Sequence, residues 1–247
     1  MGDGWRLAIG TLTALPIPPP SVVDSRTARV AVLLAPLAVA PLGLAVGAVL
    51  WLAGRFDIPP AAAGLLAVGA LVLGSRAFHV DGLADTADGL TASYDRKRSL
   101  DVMKSGSVGP AGAAAIVVVL GLQAVGFAGL IGCPLAAVIL VCLSRGVLAL
   151  TCMAGVPAAD GEGLRAAFAG CVSTPLAVAF WVGIAAVGAL ALGALDLPWR
   201  HILAGFGIAT LVIALLLRRA TSRLGGVTGD LFGASIELTL AALLVAL

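Results

Sequence analysis

Charge is what this chain has least of. Only 11% of its 247 residues are Asp, Glu, Lys or Arg, while 60% are hydrophobic and the mean hydropathy is +1.11. A soluble domain carries about 25% charged residues, so a water-solvated globule is excluded. The composition reads as one all-α, polytopic membrane domain over residues 1–247, with no break large enough for a soluble domain. The net charge of +2 gives no sign of a nucleic-acid partner. Four cysteines, Cys133, Cys142, Cys152 and Cys171, lack metal-type spacing and read as packing residues. No cleavable signal peptide and no internal repeat are evident. The first apolar stretch, Leu7 to Ile17, ends at Pro18-Pro19-Pro20 and is too short to cross about 30 Å of hydrocarbon. With Trp5 and Arg6 at its start, it suits an interfacial position.

What is present is a series of apolar runs of spanning length. They fall at about Val30–Ala53, Pro60–Phe78, Val108–Ile131, Leu135–Ala154, Thr174–Leu195, Ile202–Leu217 and Gly229–Leu247. Seven spans are therefore expected. With the N-terminus in the cytoplasm, Arg6, Arg26, Arg29, the Arg96–Lys104 segment, Arg165, Arg218, Arg219 and Arg223 all fall inside, and only Arg55 and Arg200 fall outside. The positive-inside bias selects that orientation.

Against this background one stretch stands out, Arg76-Ala-Phe-His79-Val-Asp81-Gly-Leu-Ala-Asp85-Thr-Ala-Asp88-Gly89. Asp81, Asp85 and Asp88 follow an i, i+4, i+7 pattern, within roughly 60° of arc on a helix. Carboxylates so close repel unless a cation joins them, and oxygen ligands favour Mg²⁺ or Mn²⁺ over zinc. The bland alternative is a solvated helix end. On an unbroken helix His79 points about 160° away from the aspartates and shares a side with Arg76. It therefore either marks an irregular helix near Gly82, serves a substrate phosphate, or hydrogen-bonds a neighbouring helix.

Further polar groups suit phosphate. Arg96, Lys97 and Arg98 form a basic loop that either anchors the cytoplasmic face or attracts a polyphosphate. Lys104 precedes the glycine-containing start of the third span, where backbone N–H groups suit an anion, although the Walker spacing is absent. Arg145 lies inside the fourth span and needs a partner, either a pyrophosphate or an aspartate. Arg223, Thr228, Asp230 and Glu237 gather around the start of the last span. Asp230 is either a further metal ligand or an N-cap, and Glu237 reads as a buried, hydrogen-bonded acid.

Phe78-His79-Val-Asp81-Gly82-Leu-Ala-Asp85-Thr-Ala-Asp88-Gly89 resembles the signature of the cobalamin synthases, the adenosylcobinamide-GDP ribazoletransferases. Leu15-Pro16-Ile17-Pro18, Val102-Met103-Lys104 with Gly109 and Gly112, Ser144-Arg145-Gly146, and Gly225-Gly226-Val-Thr228-Gly229-Asp230 fit in the same order. The resemblance implies an Mg²⁺-dependent enzyme at the cytoplasmic face of the inner membrane. Its substrates would be adenosylcobinamide-GDP and α-ribazole or its 5′-phosphate, and its products adenosylcobalamin or its 5′-phosphate and GMP. It also implies catalytic roles for His79, Asp81, Asp85 and Asp88, and metal binding by Asp81, Asp85, Asp88 and, with less weight, Asp230. Arg76, Arg96, Arg98, Lys104, Ser105, Arg145, Arg223 and Thr228 are the expected substrate- and phosphate-binding residues. Oligomeric state, including a homo-oligomer, is left open.

Two other classes compete. CDP-alcohol phosphatidyltransferases place Ala-Arg after the first Asp-Gly, whereas this chain has Leu83-Ala84-Asp85 and tighter spacing. An ion-coupled transporter would place its acids near the bilayer midplane on discontinuous helices. One departure from the resembled family falls at Ser105-Gly106, where Asp-Ser is usual. Every other motif is kept, so Ser105→Asp is expected to leave turnover little changed. A large gain in product formation by the substituted chain would show that a needed carboxylate is missing.

Overall fold

The computed structural model describes residues 2–92, 94–159 and 167–247. The loop residues Asp160, Glu162 and Arg165 lie outside the described residues. The chain is helical as expected, and among the described residues only two isolated bridges, Met153–Val172 and Ala158–Val227, supplement the helices. Helix α1 spans Asp3–Leu12, α2 Ser25–Ala38, α3 Ala40–Arg55, α4 Pro60–Gly74, α5 Phe78–Ala92 and α6 Arg96–Met103. Then follow α7 at Pro110–Gly129, α8 at Pro134–Ser144, a 3₁₀ turn at Arg145–Val147, and α9 at Leu148–Thr151. The last three are α10 at Thr174–Gly193, α11 at Trp199–Leu224 and α12 at Gly229–Val245.

Local chemistry sets these boundaries. The Asp24 carboxylate accepts from Thr27 N at 2.7 Å and caps α2. Proline opens α4, α7 and α8, where its missing N–H has no helical partner to lose. Gly225, with φ of 80°, ends α11 in the left-handed conformation that glycine adopts most readily. Helix α1 packs on α2 through Leu7, Ala8 and Ile9 and does not span.

Among the described residues, five helical segments are long and apolar enough to cross a membrane: Ser25–Arg55, α7, Pro134–Thr151, α10 and α11. A sixth arises if α4 and α5 count as one broken span, bent by 93°. The difference from seven has two causes. The second expected run does not continue to Phe78, because Arg76 and Ala77 adopt positive φ of 56° and 58° and break the helix. The last helix, α12, has 17 residues, about 25 Å, short of the hydrocarbon thickness. Outward side chains such as Leu190 on α10, 76% exposed, and Val125 on α7, 74% exposed, form an apolar exterior. A contiguous surface of this kind belongs in lipid, and the protein is a multi-pass membrane protein.

The break redirects the chain. Helix α5 wedges between α7 and α12. It runs antiparallel to α12, with His79 beside Gly233 and Gly82 against the Asp230 backbone. Left-handed geometry costs a non-glycine residue roughly 1–2 kcal/mol. Ala77→Gly should therefore raise the thermal midpoint of the detergent-solubilised protein, and Ala77→Val should lower it. Equal midpoints for the two variants would show that the break carries no strain.

Candidate active site

Helix α5 is a regular helix, so its acids face different surroundings as it turns between its neighbours. Asp81 is exposed, Asp85 half-buried and Asp88 buried. Asp88 reaches the start of α7, where its two oxygens accept from Gly109 N at 2.7 Å and from Gly112 N at 2.8 Å. The anion that the α7 N-terminus receives is thus a side chain of the protein. Any Cβ at Gly112 would fall 2.3 Å from the Asp88 Oδ2 position, so a residue larger than glycine would displace the carboxylate.

Asp85 feels the negative charge of Asp81, Asp230 and Asp88. The sequence stripe and the start of α12 therefore form one acidic cluster. Asp230 is not the N-cap of α12: Thr228 is, its hydroxyl accepting from Leu231 N at 3.3 Å, and Asp230 lies in the first turn. Asp81 and Asp230 line a cavity of about 460 Å³ together with Arg76, His79, Phe78 and Phe232.

His79 is buried, and the irregularity lies before it, at Arg76 and Ala77, rather than at Gly82. The break separates its direction from that of Arg76. Its Nδ1 stands 3.7 Å from Glu237 Oε1. Glu237 is buried as expected, and its Oε2 accepts from Gln123 Nε2 at 2.7 Å. Arg145 is fully buried on the 3₁₀ turn and donates to Val141 O at 2.9 Å and Ser144 Oγ at 2.8 Å. Its charge acts on Glu237 and on His79. The missed member is Gln123, whose one signal is an amide in an otherwise apolar run.

The other cations are dispersed. Arg76 donates to Gly10 O at 2.7 Å and lies 5.2 Å from the Phe78 ring centroid, tying α1 to the break. Arg96 donates to Ala159 O and lies against Gly225. Arg223 stacks over Tyr94 at 4.2 Å. Arg98 and Lys104 are exposed on α6 and at its C-cap. The Ser105 hydroxyl donates to Val102 O at 2.8 Å and pairs with Ser107.

Among the described residues no three His, Cys, Asp or Glu side chains are grouped closely enough to hold a metal ion. Mg²⁺ asks for less, usually one or two carboxylates with water and substrate phosphate completing its shell. Asp81, Asp230 and the adjacent Asp85 supply oxygen donors of that kind, while Asp88 already accepts two N–H groups.

Comparison with known proteins decides the family. The family described as cobalamin-5-phosphate synthase matches residues 4–247. The chain belongs to this family. It is 52% identical over 246 residues to the adenosylcobinamide-GDP ribazoletransferase of Nocardioides sp., covering 100% of this chain and 98% of the relative. The enzyme of that name from Frankia casuarinae is 35% identical over 257 residues, with 97% and 92% covered, and that from Brucella anthropi is 32% identical over 281 residues, with 100% and 96% covered. No solved structure matches. Like the other cobalamin synthases the chain is an enzyme, a transferase.

The divided roles of the acids can be separated experimentally. Asp88→Ala should destabilise the solubilised protein by about 1–2 kcal/mol, the usual cost of losing a helix cap. Asp85→Asn removes a charge from a repulsive cluster and should hold or raise the thermal midpoint. Thermal unfolding followed by tryptophan fluorescence reads both, and the reverse order would contradict this assignment.

Proposed function

We propose that the protein transfers the adenosylcobinamide phosphate group from adenosylcobinamide-GDP to α-ribazole or its 5′-phosphate, releasing GMP. Family membership across residues 4–247 carries this reading. The cavity that Asp81 of α5 and Asp230 of α12 line together supports it.

A ribose hydroxyl oxygen attacks the phosphorus esterified to cobinamide and forms the new P–O bond. The anhydride bond to the second phosphorus breaks, and GMP leaves with the bridging oxygen. The hydroxyl proton passes to an aspartate or to His79, both of which line the cavity. Bound Mg²⁺, with Mn²⁺ as the alternative, would neutralise the diphosphate and the charge developing on GMP. Asp81 and Asp85 would hold it with Asp230, and with Asp88 only if that carboxylate keeps a lone pair for the ion beside its two N–H bonds. Arg76 is placed to meet substrate phosphate at the cavity, and exposed Arg98 and Lys104 attract polyphosphate from solution. Positioning and electrostatics dominate phosphoryl transfer, which suits a site built of carboxylates and cations.

The membrane arrangement follows from the charge bias. With the broken α4–α5 pair and α12 both counted, seven crossings result. An N-terminus in the cytoplasm then places α6, the end of α5 and the start of α12 on the cytoplasmic side of the inner membrane. Discontinuous helices and buried charges also occur in ion-coupled transporters, but membership of a transferase family weighs against that reading.

The purified chain, given both substrates and Mg²⁺, should form GMP and cobalamin in equal amounts. Chelation by EDTA should stop turnover and Mg²⁺ restore it. Asp81→Ala should reduce kcat on the order of 10²–10³-fold, the usual loss when a preorganised charge-stabilising group is removed. Undiminished product from Asp81→Ala would sink the assignment.

A further inference from the structure

The cavity lined by Asp81 and Asp230 has two kinds of lining. His79, Asp81, Asp230 and Arg76 are polar or charged. Phe78, Phe168 and Phe232 are aromatic, with Phe168 and Phe232 ring centroids 5.9 Å apart and their planes tilted by 48°. Leu12, Leu148 and Ile236 fill out the apolar part. The mechanism above uses the charged groups only and leaves Phe168 and Phe232 without a task.

We propose that this cavity is the seat of the nucleoside substrate, with its fused aromatic base against Phe168 and Phe232 and its ribose among His79, Asp81 and Asp230. The proposal rests on the function proposed above. Size is the first argument. A cavity of about 460 Å³ is of the class that encloses a small organic molecule. It holds a nucleoside but not a corrin macrocycle with its amide fringe and appended nucleotide, which must dock at the mouth. Chemistry is the second. Of the two substrates, only the benzimidazole nucleoside joins an apolar bicyclic ring directly to the hydroxyls that react, and the lining offers rings and carboxylates in one chamber.

The phenylalanine rings offer stacking area and no hydrogen-bonding group, so the base is selected by shape and apolarity. A purine riboside, whose exocyclic and ring nitrogens would lose water without gaining partners on those rings, should bind at least about tenfold more weakly. The free nucleoside and its 5′-phosphate share the same base, and the form with the lower KM in the intact chain is the occupant.

The test uses the full chain in lipid nanodiscs. Phe232→Ser should raise KM for α-ribazole about 10–100-fold, the cost of losing a buried phenylalanine contact, and leave KM for adenosylcobinamide-GDP unchanged. A rise confined to the corrinoid, an equal rise for both substrates, or no rise at all overturns the proposal. Phe232 also packs against the core, so a second measurement uses the unaltered chain. A photoreactive azidobenzimidazole riboside should label the peptides carrying Phe168 or Phe232, with protection by α-ribazole, and labelling elsewhere overturns the seat. The two levels fail separately. An unaltered chain that forms product but is labelled elsewhere loses only this proposal, whereas one that forms no cobalamin or GMP loses the proposed reaction.

Discussion

Five carboxylates gather inside and at the mouth of an apolar bundle, and those withdrawn from water must find compensation. An uncompensated buried charge costs several kcal/mol even after the surroundings relax. The protein meets this constraint in different ways along two helices. Asp88 is held by the backbone N–H groups that open α7. Glu237 takes an amide from Gln123 and faces the charge of Arg145. Asp81, Asp85 and Asp230 form the cluster in which Asp85 feels the charge of the other two, and Asp81 and Asp230 line the cavity. The first two arrangements knit α5, α7 and α12 together. The third is the one that a bound cation would relieve.

This division depends on the bend before α5. Without the left-handed pair at Arg76 and Ala77, the second span would carry the acids straight on past the bundle instead of folding back between α7 and α12. The same turn sends Arg76 to the Gly10 carbonyl, so the amino-terminal helix becomes part of the cavity wall. Glycines on the facing surfaces permit the close approach, Gly82 to the Asp230 backbone and Gly233 to the His79 backbone. A methyl group at either would push two site-bearing helices apart.

Some of the residues expected to bind phosphate also make contacts within the protein. The Thr228 hydroxyl caps α12, and Arg96 braces Gly225 and Ala159. Both hold the loop that carries Asp230 into the cluster. Arg223 likewise rests on Tyr94, next to the basic helix α6. Substitution of these residues would disturb the cluster through its scaffold.

Composition alone determined the membrane class, because 60% hydrophobic residues cannot be covered by the charged surface of a soluble fold. The spacing of Asp81, Asp85 and Asp88, legible without any structure, marked them as one acidic stripe on a helix. Arg145 and Glu237 were legible as buried groups in need of partners, since charge inside an apolar run is conspicuous in any window. Three matters were decided only in three dimensions. The break at Arg76 and Ala77 carries neither glycine nor proline, and its one local sign is the Gly74-Ser75 pair just before it. Gln123 and Glu237 are 114 positions apart, and their pairing exists only once α7 and α12 are packed. The stripe of aspartates, equivalent by helical periodicity, was split into a helix cap and a pocket lining because each residue on a wedged helix meets a different neighbour. Periodicity fixes direction around one helix axis; what lies in that direction is set by the packing of the others.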